Sequence, residues 1–391
     1  TAASLNQAVA GTGEFTVGGA LTATTGGVTI HAASVDVNDS ITAQASTQTV
    51  SITGATNLGG DITTNNGNVT LNDAVTLSGT TRTISTGSGA GSIEFADTLD
   101  GGSDLALTAG GDDITFADVV GATALGDVTI NAARAVEMTT FTAASLNQAV
   151  AGTGEFTVGG ALTATTGGVT INADSVDVNA GIDTQMAGAA VSITGTTDLG
   201  GNVTTNNGNI TFNDAVTLSG GLRTMTTNSG AGDIWFKNTL GGGQNLALTA
   251  GTGAIKFEQA VGAGDTRVGA VTIAEVGSVT IGSTFSAASF VQNTTGTGTF
   301  TLGGLLDTDA GVVTIDSKTV ELDAGITTTA GYDAVNDADN GLVTITAGIG
   351  GVVLADGQTI TTTAAVNSGL QSGAIVIDSD GSVALNGSLL T

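Results

Sequence analysis

The chain has 391 residues, with 62 glycines, no proline, no cysteine and 35 acidic against 7 basic residues, for a formal net charge of −28. The lack of cysteine excludes a disulfide scaffold and thiolate metal sites. The negative charge and the scattered bases exclude nucleic-acid binding and attachment to anionic lipid. The sequence has no run of 18 apolar residues, so it predicts no membrane-spanning segment.

Short β-strand triplets recur along the chain, each with apolar residues at positions i and i+2 around a polar one. In the first third they are 28–30, 50–52, 69–71, 93–95, 114–116 and 128–130, with weaker ones at 35–37 and 105–107. This alternation is typical of half-buried strands, and the Gly-Gly, Asn-Gly and Gly-Ser pairs between them indicate turns. The spacing predicts a rung of about 20 residues.

A much longer repeat overlies these triplets. Residues 1–30 return letter for letter as 142–171, a shift of 141 positions, and a third, weaker copy opens near Phe285. We expect three blocks of one continuous solenoid, 1–141, 142–284 and 285–391, the last incomplete and interrupted by an insertion near 331–341. Each 141-residue block would then hold about seven rungs.

An all-β parallel β-helix, or β-solenoid, explains the composition best. A propeller blade needs about 40 to 45 residues with its own signature, and sandwich strands are longer and richer in aromatic residues. In stacked rungs, inward columns favour nesting Val, Ile and Phe, so Phe15, Phe156 and Phe300 are predicted inward. Outward columns are expected to hold Thr, Ser and Asn.

Residues 67–79, Gly-Asn-Val-Thr-Leu-Asn-Asp-Ala-Val-Thr-Leu-Ser-Gly, return as 208–220 with Ile210 and Phe212. Such rungs resemble those of filamentous-haemagglutinin-like exoproteins, large adhesins of the Gram-negative bacterial surface. The resemblance implies a right-handed β-helix in a secreted, cell-surface or filament-forming protein. The family's secretion domain has no counterpart here, and both termini fall within repeats, so we expect a segment of a longer protein.

Few residues suggest chemistry. His31, the only histidine, is predicted to point outward next to inward Ile30 and Ala32, with no partner that would make it catalytic. Asp36, Asp177 and Glu321 hold one outward position of the three copies. About seven rungs, or roughly 33 Å, would separate each from the next, too far to share a metal ion or a glycosidic bond. Their expected role is solubility, and no catalytic site or cofactor is predicted.

Calcium is the one cofactor for which candidate ligands exist. Asp333, Asp337 and Asp339 place several carboxylates in the insertion, and Asp378 and Asp380 form a second acidic pair. Neither group has the EF-hand spacing. A solvated acidic loop is the favoured interpretation, with a bound cation as the alternative.

Two aromatic residues are candidate contacts for a sugar or a neighbouring chain. Tyr332 lies in the insertion, and Trp235 occupies the outward position where the first copy has Glu94. The competing interpretations are a spacer loop for the insertion and aromatic cover of a turn for Trp235.

Three functions follow from these features. The first is a non-enzymatic, extracellular stalk of an adhesin-like surface protein, with host or matrix glycans or proteins as partners. The second is a filament or sheath subunit that stacks with other copies of itself through solenoid ends. The third is a polysaccharide-active β-helix enzyme, which the scarcity of bases and long loops disfavours.

Overall fold

The computed structural model describes residues 1–7, 9–262, 267–293, 296–308, 311–328, 341–363 and 372–391. These residues form parallel strands without any helix, stacked in about 15 coils of about 21 residues each, which confirms the predicted β-solenoid. By contacts the chain divides into unit 1, Thr1–Ala189 with Ile193–Gly195, and unit 2, Ala190–Ser192 with Thr196–Thr391. Candidate residues Tyr332, Asp333, Asp337 and Asp339 lie outside the described residues.

Unit 1 contains 21 whole strands, most of them three to ten residues long. They are β1 Leu5–Asn6, β2 Glu14–Val17, β3 Leu21–Ala23, β4 Val28–Val37, β5 Ile41–Ser46, β6 Val50–Leu58, β7 Ile62–Asn65, β8 Val69–Leu71, β9 Val75–Leu77, β10 Thr81–Ser85, β11 Ile93–Phe95, β12 Leu99–Asp100, β13 Asp104–Thr108, β14 Ile114–Phe116, β15 Val120–Ala132, β16 Val136–Met138, β17 Phe141–Gln148, β18 Glu155–Val158, β19 Leu162–Ala164, β20 Val169–Val178 and β21 Ile182–Thr184.

The boundary between the units falls within β22, Val191–Leu199. The described strands of unit 2 are β23 Val203–Thr205, β24 Ile210–Phe212, β25 Val216–Leu218, β26 Arg223–Thr226, β27 Ile234–Phe236, β28 Leu240–Gly241, β29 Leu246–Thr249, β30 Ala254–Phe257, β31 Val268–Glu275, β32 Ser278–Ile281, β33 Phe285–Gln292, β34 Gly296–Leu302, β35 Leu306–Asp307, β36 Val313–Leu322, β37 Ile326–Thr327, β38 Val343–Leu354, β39 Thr359–Thr361, β40 Ile375–Ser379, β41 Val383–Leu385 and β42 Ser388–Leu390.

Each coil of unit 1 has three strand-bearing faces, and inward residues stack in one column per face. Face A is the column Leu5, Val28, Val50, Val69, Ile93, Ile114, Val136, Phe156 and Val176. Face B is the column Phe15, Val35, Thr56, Val75, Leu99, Val120, Phe141, Leu162 and Ile182. Face C is the column Leu21, Ile41, Ile62, Ile84, Leu107, Ile130 and Gln148.

The 141-residue repeat does not close on a whole number of coils. Seven steps along face A lead from Leu5 to Phe156. Leu146, the copy of Leu5, lies one face earlier in that coil, on face C, where it stacks on Val128. The predicted seven rungs are therefore six and two-thirds coils. Every residue of the second copy in unit 1 lies one face back from its counterpart in the first.

The core is a series of apolar ladders. Phe95 and Phe116 stack with centroids 5.3 Å apart, and Phe141 meets Phe116 edge-on at 5.3 Å. In unit 2, Phe236 stacks between Phe212 and Phe257 at 5.4 and 5.2 Å. Of the phenylalanines predicted inward, Phe156 and Phe300 are fully buried, which confirms the prediction. Phe15 is only half-buried, because its strand β2 pairs with β4 on one side alone.

Buried threonines close the corners, and for these the predicted outward position is wrong. Each hydroxyl donates to the carbonyl that ends the corner, an arrangement that we call a Thr latch. The latches are Thr64–Gly67, Thr86–Gly91, Thr184–Ala189, Thr205–Gly208, Thr227–Gly232, Thr308–Gly311, Thr328–Gly341 and Thr362–Gly373. The buried hydroxyl is tolerated because it is paired.

Candidate functional site

The outward prediction for His31 is confirmed. Its neighbours Ile30 and Ala32 are buried in β4, whereas His31 is half-buried on the outer side. On the next coil its register partner is Thr53, which has no acid–base chemistry of its own.

The carboxylates at one repeat position lie on different faces. Asp36 is outward on face B, and Asp177, its copy, is outward on face A. Asp36 accepts hydrogen bonds from Asn38 at 2.7 Å and Asn57 at 2.8 Å, and Asp177 accepts one from Asn179 at 2.7 Å. Both carboxylates thus bind amide side chains next to them. Glu321, in unit 2, is exposed.

Other carboxylates and side-chain amides join neighbouring coils by accepting backbone N–H groups. Asp61 accepts from the amide of Thr83 at 2.9 Å, and Asn202, its copy, accepts from Thr224 at 2.9 Å. Asp104 accepts from Asp127 at 2.9 Å, and Asn245 from Ala270 at 2.8 Å. The first copy has Asp and the second has Asn at these equivalent positions. What the positions require is therefore an oxygen that accepts a hydrogen bond, and solubility alone does not explain the residues found there.

The structure also brings together acidic residues that sequence reasoning did not group. Asp113, Glu137 and Glu155 line a groove of about 180 Å³ on face A. Arg134 forms an ion pair with Asp113 at its edge. The sequence alone does not show that these carboxylates are neighbours. The coil register shows it, because it places residues 113, 135 and 155 in one column.

Within the described ranges, no three or more His, Cys, Asp or Glu side chains, those of the groove included, lie in an arrangement that could hold a metal ion. Asp378 lies in β40 opposite Thr346, and the amide of Asp380 donates to the carbonyl of Ala347. The calcium prediction for the insertion concerns residues outside those ranges, and it stays a prediction.

Trp235 is the centre of the most distinctive outward cluster. It lies in β27 between buried Ile234 and Phe236 and is half-buried on the outer side. The Lys237 ammonium lies 4.5 Å from the indole centroid and the Lys256 ammonium 5.2 Å, both within the range of cation–π attraction. Lys256 belongs to β30 on the adjacent coil, where its register partner is Trp235.

The two lysines have different polar partners. The Lys256 ammonium forms an ion pair with Asp233 at 2.8 Å, and the Lys237 ammonium donates to the side-chain oxygen of Asn213 at 2.9 Å. Each ammonium carries three donors, so these bonds leave further donors on both. The cluster therefore presents two cations and one aromatic ring beside two carboxylates, since exposed Glu258 follows Lys256 by two residues on the outer side.

The first copy of the repeat provides an internal comparison. Buried Ile234, Phe236, Ile255 and Phe257 are also Ile, Phe, Ile and Phe there, at positions 93, 95, 114 and 116. The outward residues differ: Glu94, Ala96 and Thr115 stand where Trp235, Lys237 and Lys256 stand. The carboxylates Asp112 and Asp113 are likewise replaced, by Gly253 and Ala254. Glu258 also stands where the first copy has Ala117, so one outward patch has changed from three carboxylates to two carboxylates and two ammonium groups over an unchanged core.

Sequence reasoning identified Trp235 and missed both lysines. Lys237 is two residues away on the same outer side, but Lys256 is 21 residues away, and only the coil register brings it to the ring. The available signal was the set of replacements at 94, 96 and 115 between the copies. What this cluster can do chemically is attract an anionic group and offer a flat apolar surface.

No family model matches this chain, and neither a curated protein nor a solved structure matches it. The resemblance to filamentous-haemagglutinin-like exoproteins therefore remains a prediction from the repeat sequence. Among the residues that the structure describes, no helix is long and apolar enough to cross a membrane.

Proposed function

We propose that this chain is a non-enzymatic structural stalk of a secreted, adhesin-like protein on the Gram-negative bacterial surface. The observation that carries the proposal is the offset of the repeat by one face. The second copy in unit 1 repeats the inward residues and corners of the first one face back, so matched outward residues such as Asp36 and Asp177 also lie on different faces. The duplication therefore preserves the coil. It does not align equivalent outward residues of the two copies along one face.

A solenoid suits a stalk because each coil contacts only its neighbours. Its stability is close to a sum of coil and interface terms, so length can grow by duplication without a new core. Each 141-residue copy adds six and two-thirds coils, or roughly 32 Å along the coil axis at about 4.8 Å per coil. The acidic outer surface supports the same role, since like charges oppose lateral sticking.

The proposal is tested on intact cells of the source organism. Antibodies raised against this chain should label unpermeabilised cells, and external protease should remove the signal. Replacement of the chain, within its parent protein, by an unrelated β-solenoid of equal coil number should leave adhesion intact. Labelling that appears only after lysis would exclude the surface location, and lost adhesion in the replacement would exclude a purely structural role.

The enzyme alternative is tested at the acidic groove. If the chain cleaved polysaccharides, Glu137 or Glu155 would be the first carboxylates to examine, because they line one groove. Incubation with uronate polymers, followed by reducing-end and unsaturated-product assays, should show no turnover. Cleavage that Glu137→Gln abolishes would overturn the non-enzymatic assignment.

The filament alternative is tested by electron microscopy of the purified chain at high concentration. The stalk proposal predicts isolated particles. Continuous filaments would favour the self-assembling subunit instead.

A further inference from the structure

We propose that the outward cluster of Trp235, Lys237 and Lys256 is a binding site for acidic saccharides, of the hexuronate type. The inference deepens the proposed function and rests on it, since an adhesin-like surface protein would meet such polymers outside the cell. Its first support is local chemistry: two ammonium groups lie 4.5 and 5.2 Å from the centroid of the only tryptophan in the chain. A carboxylate can accept from the ammonium groups, and a pyranose ring can lie against the exposed part of the indole.

The second support is the comparison within the repeat. Counting outward side chains at matched places, the first copy has the carboxylates of Glu94, Asp112 and Asp113. The second has the carboxylates of Asp233 and Glu258 and the ammonium groups of Lys237 and Lys256. Core packing does not explain the change, because the buried Ile-x-Phe pairs beneath are the same in both copies.

The third support is the lack of a direct ion pair at one of the two lysines. Lys237 forms no ion pair within the described ranges and donates to the neutral amide of Asn213. In a chain of net charge −28, such a cation is conspicuous. At physiological ionic strength the Debye length is about 8 Å, so distant carboxylates act weakly on a ligand held at the ring.

Hydroxyl groups extend the site along the column. Thr211 stacks on Trp235 from one adjacent coil, and Thr280 stacks on Lys256 from the other side. These side chains are placed to bond sugar hydroxyls on either side of the ring. A linear oligosaccharide running along the coil axis therefore fits this surface better than a compact anion.

The unique tryptophan makes the test direct, since intrinsic fluorescence reports from the site itself. Oligogalacturonate is titrated into the whole chain at 0.15 M salt, with its methyl ester as the uncharged match and citrate as a non-saccharide anion. We expect a saturable fluorescence change with oligogalacturonate only. Lys237→Ala with Lys256→Thr keeps Trp235 and restores the residues of the first copy. Its apparent Kd should rise at least about tenfold, or 1.4 kcal/mol.

Two controls separate binding from folding. Lys318→Ala removes an exposed lysine elsewhere in unit 2 and should leave Kd unchanged. Trp235→Glu, which also restores a first-copy residue, is assayed by ligand-observed NMR and should lose binding while its circular dichroism stays that of the parent. Because both restored surfaces already exist in the first copy, these variants should fold.

The proposal is overturned if the parent chain shows no response, if the ester or citrate binds as well as oligogalacturonate, or if the double-lysine variant binds like the parent. None of these results would affect the stalk proposal, which depends on surface location and on coil replacement. Conversely, a chain found inside the cell could still bind oligogalacturonate in the titration, so the two failures are distinguishable.

Discussion

At the residue scale, carboxylate and amide side chains have a structural task that the charge pattern alone conceals. Asp61 in the first copy and Asn202 in the second both accept a backbone amide from the adjacent coil at 2.9 Å. Either an ionised carboxylate oxygen or a neutral amide oxygen can accept this hydrogen bond. Part of the acidity of this chain therefore joins coils, in addition to keeping the surface charged.

We predict that Asp61→Asn leaves the free energy of unfolding nearly unchanged, because the repeat already uses Asn at this place. Asp61→Ala removes the acceptor and should cost about 1 kcal/mol. The measurement is urea denaturation followed by circular dichroism. Equal losses for the two variants would show that charge, and not the acceptor oxygen, matters at this position.

A second prediction concerns the aromatic ladder of unit 1. Phe116 contacts Phe95 and Phe141 on the two adjacent coils, and all three are fully buried. Phe116→Ala should destabilise by about 3–5 kcal/mol through lost transfer energy and a cavity. Phe116→Leu should cost clearly less, since Leu71 already occupies this column beneath Phe95. Thermal and urea unfolding check both values, and similar losses would contradict a packing origin.

At the element scale, the Thr latch explains how corners of different length fit one coil. The Thr205 hydroxyl donates to the Gly208 carbonyl across two residues, and the Thr328 hydroxyl donates to the Gly341 carbonyl across twelve. Thr308, Thr328 and Thr362 also follow one another in a single column, because their strands are in register. The corner thus fixes both ends of a segment whatever its length.

One corner also shows why glycine ends most of the latches. A Cβ built on Gly67 would lie 1.9 Å from the carbonyl oxygen of Gln48 on the adjacent coil. Any side chain there would force the coils apart. The Asn-Gly pairs that indicated turns in the sequence therefore mark close approach of two backbones, as well as the left-handed conformation of Asn66 at a φ of 60°.

From the latch we predict that the segment between Thr328 and Gly341, which holds most of the insertion, can be exchanged without loss of the coil. Replacement of residues 329–340 by Asn-Asn, the residues enclosed by Thr205 and Gly208, should leave the melting temperature within a few degrees. Thr328→Val in either background should lower stability by about 1 kcal/mol, since the Gly341 carbonyl loses its donor. Thr328→Ser is the matched control and should retain most of the stability. A large loss on exchange alone would show that the insertion itself stabilises unit 2.

At the scale of the whole molecule, the offset of the repeat is the main finding. Because a copy spans six and two-thirds coils, equivalent outward residues in unit 1 lie on successive faces. Duplication under selection for an aligned row of ligand sites would favour a whole number of coils. A stalk has no need of aligned outward residues, so the offset does not impair it. The observed offset is in this way consistent with the proposed function and supports it.

The repeat leads to a prediction on deletion. Removal of residues 15–155 joins Glu14 to Phe156 and, because residues 1–14 and 142–155 are identical, leaves the sequence of residues 142–391. The shortened chain should fold, with a urea m-value lower by roughly a third, in line with the surface removed. Removal of one residue more, 15–156, is the control. It places either Glu14 at the inward position of Phe156 or Thr157 inward and Val158 outward, and both arrangements should lower the unfolding midpoint. Equal midpoints would show that register at this strand is not fixed by alternation.

The sequence by itself determined the architecture and much of the core. Alternating triplets such as 69–71 and 93–95 predict strands because side chains of a strand point to opposite sides, and the 141-residue echo predicts stacking because similar rungs nest. Inward Phe156 and outward His31 followed from the same alternation. These features depend on neighbours in sequence, and a local pattern is enough to reveal them.

Only the tertiary structure decided which distant residues meet. Coil length varies from corner to corner, so spacing alone could not show that Leu146 lies on face C, that Lys256 stacks on Trp235, or that buried threonines close the corners. The stalk function, the adhesin resemblance and the calcium ligands Asp333, Asp337 and Asp339 stay predictions. The placements of Leu146, Lys256 and the buried threonines share one physical reason. The register between parallel strands on adjacent coils depends on the lengths of all the corners between them, and the sequence of a single rung does not contain that information.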